Sequence, residues 1–296
     1  MKKQIRGSLL LATATIIWGS AFVAQSVGMD HIGPFTFQAV RCFLAVLALL
    51  PVIAVADIKK ADGKNFFSRW TDKKLLKAGV LCGLPLFLAC NLQQLALVDT
   101  DAGKSGFLTA MYIVIVPVIG IFRKQNPTIM VPVSVLLAVA GLYFLSCSSV
   151  TGISSGDLLL LGCALMFAVQ ITFVDIFAPD VDPLRLNTLQ ALVCSVLSAV
   201  IMCCTEEPTF SGIWDCRIPL AFTGILSMGA AYALQIVGQK DLPPAPAALI
   251  MSLESVFAAL FGWLLLKETM APVETLGCVL VFTAVVLSQL PVKKKI

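Results

Sequence analysis

Ten apolar stretches, each near 20 residues long, follow one another along the 296-residue chain and are separated by short polar breaks. A helix needs roughly 20 mostly apolar residues to cross about 30 Å of bilayer hydrocarbon, so each stretch predicts one membrane-spanning helix. The predicted spans, numbered 1 to 10, cover residues 8–28, 33–55, 75–98, 103–122, 128–147, 156–176, 184–204, 218–238, 244–266 and 271–290. This pattern predicts an all-α integral membrane protein with ten transmembrane helices, in which residues 1–296 form a single transmembrane domain.

Composition agrees with this class of protein. Of the residues, 58% are hydrophobic and only 13% are charged, and the mean hydropathy is +0.94. These values lie far outside the range of soluble proteins. The net charge of +4 is too small to indicate a nucleic-acid partner. Most of the ten cysteines fall inside apolar stretches without metal-ligand spacing, so we expect no metal and no cofactor.

Lysine and arginine residues are concentrated in the breaks on one side of the predicted spans. The exceptions among the 21 basic residues are Lys104, Arg217 and Lys267 on the other side and Arg41 inside the membrane. Cytoplasmic loops are enriched in Lys and Arg, so we assign the basic side to the cytoplasm and expect both termini there. The first span follows a basic segment, as in a signal peptide, but its apolar run is long and we expect it to be retained. The expected location is the cell (inner) membrane.

The two halves of the chain, residues 1–148 and 149–296, show a weak internal similarity. Three sets of positions correspond: residues 34–41 with 183–190, Gln93 with Gln235, and Tyr112 with Glu254. Each half contains five predicted helices, and because five is an odd number the second copy must enter the membrane from the opposite side. Inverted repeats of this type recur in secondary transporters, whose substrate site lies near the midplane between the halves.

Several polar and aromatic residues lie at membrane depth, where such groups usually have a role. Asn91 and Gln94 are three residues apart, as are Tyr232 and Gln235, so each pair shares a helix face. Such faces line a wet cavity in some proteins and only bond neighbouring helices in others, and the sequence leaves both interpretations open. The candidate substrate-binding residues are Trp18, Gln25, Asn91, Gln94, Tyr112, Gln170, Tyr232, Gln235 and Glu254.

Two charged residues lie deep in their spans. At about 1.5 Å of rise per residue, Arg41 in span 2 and Glu254 in span 9 both reach about the middle of the bilayer. We hypothesise that Glu254 faces the cavity as a proton-responsive or cation-attracting group, with Arg41 as its partner charge. A structural ion pair, or an arginine bonded to backbone carbonyls, is the alternative interpretation.

Four segments carry a family resemblance: residues 18–23 (WGSAFV), 34–41 (PFTFQAVR), 252–260 (SLESVFAAL) and 264–268 (LLLKE). In this order and spacing they resemble the EamA branch of the drug/metabolite transporter superfamily, over essentially the whole chain. One departure is Ser255, where similar proteins often have a proline. The resemblance implies two inverted repeats of five helices and the transport of small metabolites, often amino acids or drugs.

We therefore expect a secondary-active transporter of a small organic metabolite, such as an amino acid, an amine or a drug-like compound, that works by alternating access. No Walker-type nucleotide loop occurs, so a proton, an ion gradient or substrate exchange must supply the energy. The alternatives are a nucleotide-sugar or phosphate-ester exchanger and a membrane receptor or structural partner without transport. An enzyme is disfavoured, because the sequence shows no nucleophile paired with a general base. Spans 5 and 10, the most uniformly apolar, are expected to form scaffold or homodimer contacts.

Overall fold

The computed structural model describes residues 2–59, 66–100, 102–125, 128–146, 154–266 and 270–290, and every regular element in these ranges is helical. The α-helices are α1 (Lys2–Gly28), α2 (Pro34–Ile58), α3 (Lys73–Ala96), α4 (Ala102–Thr109), α5 (Tyr112–Phe122), α6 (Met130–Leu145), α7 (Ser155–Phe177), α8 (Pro183–Thr205), α9 (Phe210–Asp215), α10 (Arg217–Ala221), α11 (Tyr232–Gln239), α12 (Pro244–Met251), α13 (Leu253–Leu266) and α14 (Pro272–Gln289). A π-helix, Phe222–Ala231, joins α10 to α11. The motif residues Lys267 and Glu268 and the basic residues 293–295 lie outside the described residues.

Within these ranges, nine helical segments are long and apolar enough to cross a membrane, and they coincide with nine of the ten predicted spans. Predicted span 5 becomes α6, whose 16 mostly apolar residues extend for only about 24 Å. Large apolar side chains such as Phe43, Leu47 and Trp263 remain about half exposed, as expected for helices surrounded by lipid. The chain is an integral membrane protein built from apolar helices.

Three predicted spans are interrupted rather than uniform α-helices. Span 4 is divided into α4 and α5 around Ala110 and Met111, and span 9 is divided into α12 and α13 at Ser252. The break in span 9 forms without a proline at position 255, and at this break the Ser252 hydroxyl donates to the Leu249 carbonyl at 2.8 Å. Span 8 contains the π-helix. Irregular backbone at membrane depth is tolerated where it is enclosed by protein or lines a cavity.

The longest helices pack in antiparallel pairs. At one end of the α2–α8 pair, Asp57 near the end of α2 binds Arg185 near the start of α8. At the other end, the carboxylate of Glu206, just beyond α8, accepts the backbone N–H of Thr36 in the first turn of α2 at 2.8 Å. α3 packs against both α7 and α8, and α1 packs against α11 and α13. These contacts surround the polar interior that holds the candidate site.

Candidate functional site

A narrow cavity of about 40 Å³ lies among the helices, and it is bordered by residues of α1, α2, α3, α5, α7, the π-helix, α11, α12 and α13. Its wall contains one cationic, one anionic, four amide and five aromatic side chains. The lining residues are Trp18, Phe22, Gln25, Arg41, Gln93, Tyr112, Phe167, Gln170, Ile171, Ser227, Tyr232, Gln235, Met251 and Glu254. The wall thus brings together the substrate-binding candidates named from the sequence, apart from Asn91 and Gln94, and adds Arg41.

Arg41 is buried on α2 and is held by two glutamines. Its Nε donates to Gln38 Oε1 at 2.7 Å, and its Nη1 donates to Gln25 Oε1 at 2.5 Å. Within the part of the chain that the structure describes, the arginine therefore bonds side-chain amides and not the backbone carbonyls that the sequence interpretation also allowed. Among the described residues no carboxylate pairs with it. A guanidinium does not lose its proton in proteins, so a positive charge faces the cavity.

Glu254 is buried in the first turn of α13, directly after the break at Ser252. The hydroxyl of Tyr112, the first residue of α5 after the break in span 4, donates to Glu254 Oε1 at 3.0 Å. Within the described chain Arg41 and Glu254 do not form an ion pair, which corrects the direct pairing considered from the sequence. The reason is geometric, because two glutamines hold the guanidinium while a phenol hydroxyl holds the carboxylate.

Two pairs of aromatic rings form part of the cavity wall. Trp18 and Tyr232 meet edge to face with centroids 5.0 Å apart, and Tyr112 and Phe167 meet in the same way at 6.4 Å. The indole N–H of Trp18 donates no hydrogen bond within the described residues. Aromatic faces of this kind attract cations and accommodate apolar side chains.

The cavity amides differ in how far their hydrogen-bonding capacity is used. Gln93 donates to the Thr109 hydroxyl at 3.2 Å. Gln235 donates from Nε2 to both Gln170 Oε1 at 3.2 Å and Gln239 Oε1 at 2.9 Å. The Gln235 carbonyl oxygen accepts no hydrogen bond from the described residues, although it is buried. The cavity wall therefore contains an unused acceptor.

Asn91 and Gln94 are not among the cavity-lining residues. The Asn91 amide donates to the Phe87 carbonyl at 2.8 Å and to the Ser198 hydroxyl on α8 at 2.9 Å. The Gln94 amide donates to the Gln25 carbonyl at 3.4 Å. The Asn91–Ser198 and Gln94–Gln25 bonds join neighbouring helices, which is the second interpretation that the sequence left open for these amides.

Sequence reasoning did not select six of the lining residues: Phe22, Gln93, Phe167, Ile171, Ser227 and Met251. Phe167 had a signal, since it falls on Trp18 when the two halves are aligned. Gln93 had another, since it falls on Gln235. Ser227 had none, because it lies on the π-helix, whose register no apolar pattern indicates.

The end of the bundle that contains the start of α8 is joined by charged contacts. Asp57 binds Arg185 and lies 3.8 Å from Arg69. In the turn between α11 and α12, the Lys240 ammonium donates to the Val181 carbonyl at 3.0 Å, and burial lowers the pKa of this lysine. Across the ranges that the structure covers, no group of three or more His, Cys, Asp or Glu side chains is arranged to hold a metal ion.

Comparison with known proteins places these features in a family. Residues 5–147 and residues 154–290 each match the EamA-like transporter family. An uncharacterized transporter of Archaeoglobus fulgidus is 32% identical, and the match covers 98% of this chain and 88% of the relative. The uncharacterized transporter YoaV of Bacillus subtilis is 23% identical and is matched over 94% of both chains.

Two further comparisons agree. A WAT1-related chloroplast protein of Arabidopsis thaliana is 24% identical over 95% of this chain and 69% of its own length. A crystal structure with 15% sequence identity has a TM-score of 0.78 and covers 95% of this chain and 96% of its own, which shows a shared fold. An integral membrane protein with these relatives is a membrane transporter. The chain belongs to the EamA-like transporter family, within the drug/metabolite transporter superfamily.

Proposed function

We propose that the cavity is the substrate site of a secondary-active transporter and that the substrate is a zwitterionic metabolite, such as an amino acid with an apolar side chain. One observation carries this proposal. Arg41 and Glu254 border the same cavity, and neither has an oppositely charged partner within the described residues. An unpaired buried charge is unfavourable in free energy, so a ligand that carries a negative and a positive charge can pair with both residues.

Each group of wall residues has a role in this proposal. Arg41 binds the substrate carboxylate, because a guanidinium matches a carboxylate in both charge and shape. Glu254 binds the ammonium group, and the aromatic wall receives the apolar side chain. Among the described residues only one cationic side chain lines the cavity, which disfavours the phosphate-ester alternative, since a phosphate dianion needs more positive charge.

We propose further that the two halves are inverted repeats. The alignment that pairs residues 34–41 with 183–190 also pairs Thr36 with Arg185 and Asp57 with Glu206. Thr36 binds Glu206, and Arg185 binds Asp57, so a two-fold rotation that exchanges the halves converts one contact into the other. Because the corresponding helices α2 and α8 run antiparallel, the axis lies across them, in the membrane plane.

A second pair of contacts supports the same rotation. Gly7 corresponds to Gly156, and Thr100 corresponds to Leu242. Gly7 packs against Leu242, and Gly156 packs against Thr100. These contacts join the start of the first helix of each half to the residues just before the fourth helix of the other half.

Two corresponding pairs also touch each other directly. Tyr112 corresponds to Glu254 and bonds to it at 3.0 Å, and Cys90 corresponds to Tyr232 and lies 3.8 Å from its hydroxyl. Residues exchanged by a two-fold rotation can meet only at the axis. The proposed axis therefore passes through the cavity wall, where a site shared by two halves belongs.

This geometry supports alternating access. Asp57–Arg185 and Thr36–Glu206 join the halves at opposite ends of the α2–α8 pair, so opening either end requires that its contact separate. We propose that the end with Asp57 and Arg185 faces the cytoplasm, together with both termini, in the cell membrane. Glu254 is the proposed coupling group, since a bound ammonium group and a bound proton compete for the same carboxylate.

The test is flux through purified protein reconstituted in liposomes, with radiolabelled L-phenylalanine and L-leucine as probes and empty liposomes as the control. We expect saturable uptake that unlabelled zwitterions inhibit. Arg41→Lys loses the guanidinium fork, so inhibition by L-phenylalanine should weaken by about tenfold, while inhibition by 2-phenylethylamine, which has no carboxylate, should not change. Binding without flux would favour the receptor alternative. An equal loss of inhibition by L-phenylalanine and by 2-phenylethylamine in Arg41→Lys would contradict the role of Arg41.

A further inference from the structure

Four buried side-chain amides form a continuous hydrogen-bonded chain that begins at the cavity wall, and we name them the amide relay: Gln235, Gln170, Gln190 and Asn187. Gln235 Nε2 donates to Gln170 Oε1 at 3.2 Å, and Gln170 Nε2 donates to Gln190 Oε1 at 3.2 Å. Gln190 Nε2 then donates to Asn187 Oδ1 at 2.9 Å. Gln235 and Gln170 line the cavity, whereas Gln190 and Asn187 do not.

The far end of the amide relay fixes its direction. Asn187 Nδ2 donates to the backbone carbonyls of Met228 and Gly229 in the π-helix, at 3.0 and 2.8 Å. A carbonyl only accepts hydrogen bonds, so Asn187 has to turn its NH2 group toward the π-helix and its oxygen toward Gln190. The same requirement then passes from each amide to the next, and Gln235 has to present its NH2 group to Gln170.

A second anchor acts on Gln235 from the other side. Gln239 Nε2 donates to the Ile171 carbonyl at 3.2 Å, so its oxygen is turned toward Gln235 and accepts the second N–H of that residue. Both N–H groups of Gln235 are thereby used. Its oxygen has no partner among the described residues, although the residue is only 2% exposed. Such an acceptor is costly to leave unpaired, which favours a donor from a ligand.

We propose that Gln235 Oε1 accepts a hydrogen bond from the transported molecule and that the amide relay makes this position selective for N–H or O–H donors. The inference deepens the proposed function and rests on it. Asn187 and Gln190 act as positioning residues, because they hold the polarity of Gln235 without bordering the cavity. The primary ammonium group of an amino acid supplies such donors, whereas a trimethylammonium group carries the same charge and supplies none.

The test is equilibrium binding to the purified full-length protein of two matched pairs: L-phenylalanine and L-leucine, each with its N,N,N-trimethyl derivative. The native protein should prefer the primary ammonium member by about tenfold or more, the effect of one hydrogen bond together with the unpaired acceptor left behind. Asn187→Leu removes the anchor at the π-helix, so that of the two anchors only Gln239 still orients Gln235, and the NH2 group turns to the cavity in part of the molecules. The preference should then fall by about threefold or more. Because Asn187 does not border the cavity, the steric effect of the methyl groups is the same in both proteins.

Ser195→Ala is the matched control. Ser195 also lies buried on α8 and donates to a backbone carbonyl of another helix, that of Ala39, at 2.9 Å. This variant should keep the native preference. Gln190→Met interrupts the amide relay one step closer to the cavity and serves as the second test variant if Asn187→Leu does not fold.

The outcomes separate the inference from the proposed function. Equal affinity for both members of each pair in the native protein would overturn the inference alone, as would an unchanged preference in Asn187→Leu or in Gln190→Met. A failure of all four compounds to bind the folded native protein would overturn the inference together with the zwitterion proposal. A preference that falls in the relay variants and persists in Ser195→Ala supports it.

Discussion

The two charged residues at the cavity differ in what a proton can do to them. Arginine stays protonated in proteins, whereas a carboxyl group gains or loses its proton over an accessible pH range. Two amides fix the Arg41 guanidinium, and a single phenol hydroxyl contacts the Glu254 carboxylate. If substrate binding responds to pH through the cavity wall, the response belongs to Glu254.

Glu254→Gln tests this assignment. The ionised carboxylate is the form that attracts an ammonium group, so the affinity of the native protein for L-phenylalanine should rise as pH increases and Glu254 loses its proton. Glutamine is neutral at every pH, so the variant should bind more weakly and with a flat pH profile. The measurement is the dissociation constant in purified protein at several pH values, alongside the pH dependence of liposome flux.

Asp175→Asn is the matched control for this experiment. Asp175 is also an acidic residue in a predicted span, on α7, but it pairs with Arg123 at 2.9 Å and does not border the cavity. This variant should keep the native pH profile. A Glu254→Gln protein that retained the native affinity and pH profile would remove Glu254 from the mechanism.

At the scale of helices, close backbone approach decides which pairs stay together. Lipid chains are as apolar as leucine, so membrane helices associate through dense packing, and glycine allows the nearest approach. α6 and α14 meet in this way at Gly141 and Gly277. A Cβ added to Gly141 would lie 2.8 Å from both the Gly277 carbonyl oxygen and the Val281 backbone nitrogen. Backbone atoms cannot move aside as a flexible side chain does.

Gly141→Ala should therefore destabilise the protein. We expect the free energy of unfolding to fall by about 1–3 kcal/mol, the usual effect of overpacking. Gly162→Ala is the control, because its new Cβ would meet only a Leu92 methyl group at 3.4 Å. That variant should be neutral or should gain up to about 1 kcal/mol from helix propensity. Thermal unfolding of both variants in one detergent is the measurement, and equal shifts would contradict the packing argument.

Apolar run length predicted where helices lie, because the thickness of the bilayer sets that length directly. It did not predict where they are interrupted. No proline marks the break at Ser252, where the serine hydroxyl bonds within its own helix, and the π-helix is bonded at its Met228 carbonyl by Asn187 from α8. Only the folded arrangement brings the second of these contacts together.

The choice between Gln93 and Gln94 shows the same limit for the site. Both are amides in one span, and spacing alone paired Gln94 with Asn91 on a shared face. In the fold, Asn91 on that face contacts α8, whereas Gln93 lies at the cavity. Residue type and depth could therefore be predicted, whereas the direction a helix face points depends on its neighbours.

At the scale of the whole molecule, the proposed inverted arrangement makes a definite statement about which ends share a side of the membrane. With both termini in the cytoplasm, the turn after α2 and the start of α8 also face the cytoplasm. The segment between α8 and α9 then faces the opposite side, together with the start of α2. The Asp57–Arg185 and Thr36–Glu206 contacts lie on opposite sides accordingly.

Reporter fusions test this orientation in a bacterial expression host. A green fluorescent protein fused at either terminus should fluoresce, since it matures in the cytoplasm, and alkaline phosphatase at the same positions should be inactive. Alkaline phosphatase fused after Glu207, in a chain truncated there, should be active. The reverse pattern would invert the assigned orientation, and opposite signals at the two termini would exclude an even number of crossings.

The Tyr112–Glu254 bond bears on whether the two halves could have been identical subunits. Two identical subunits related by the proposed two-fold axis would bring the same side chain to both sides of that axis, so acid would face acid or phenol would face phenol. Two like acids repel, and two phenols provide no anion. Once the two copies have diverged, as the two halves of this chain have, the facing positions are free to differ, and the proposed pairing of a phenol with an acid at the axis depends on that divergence.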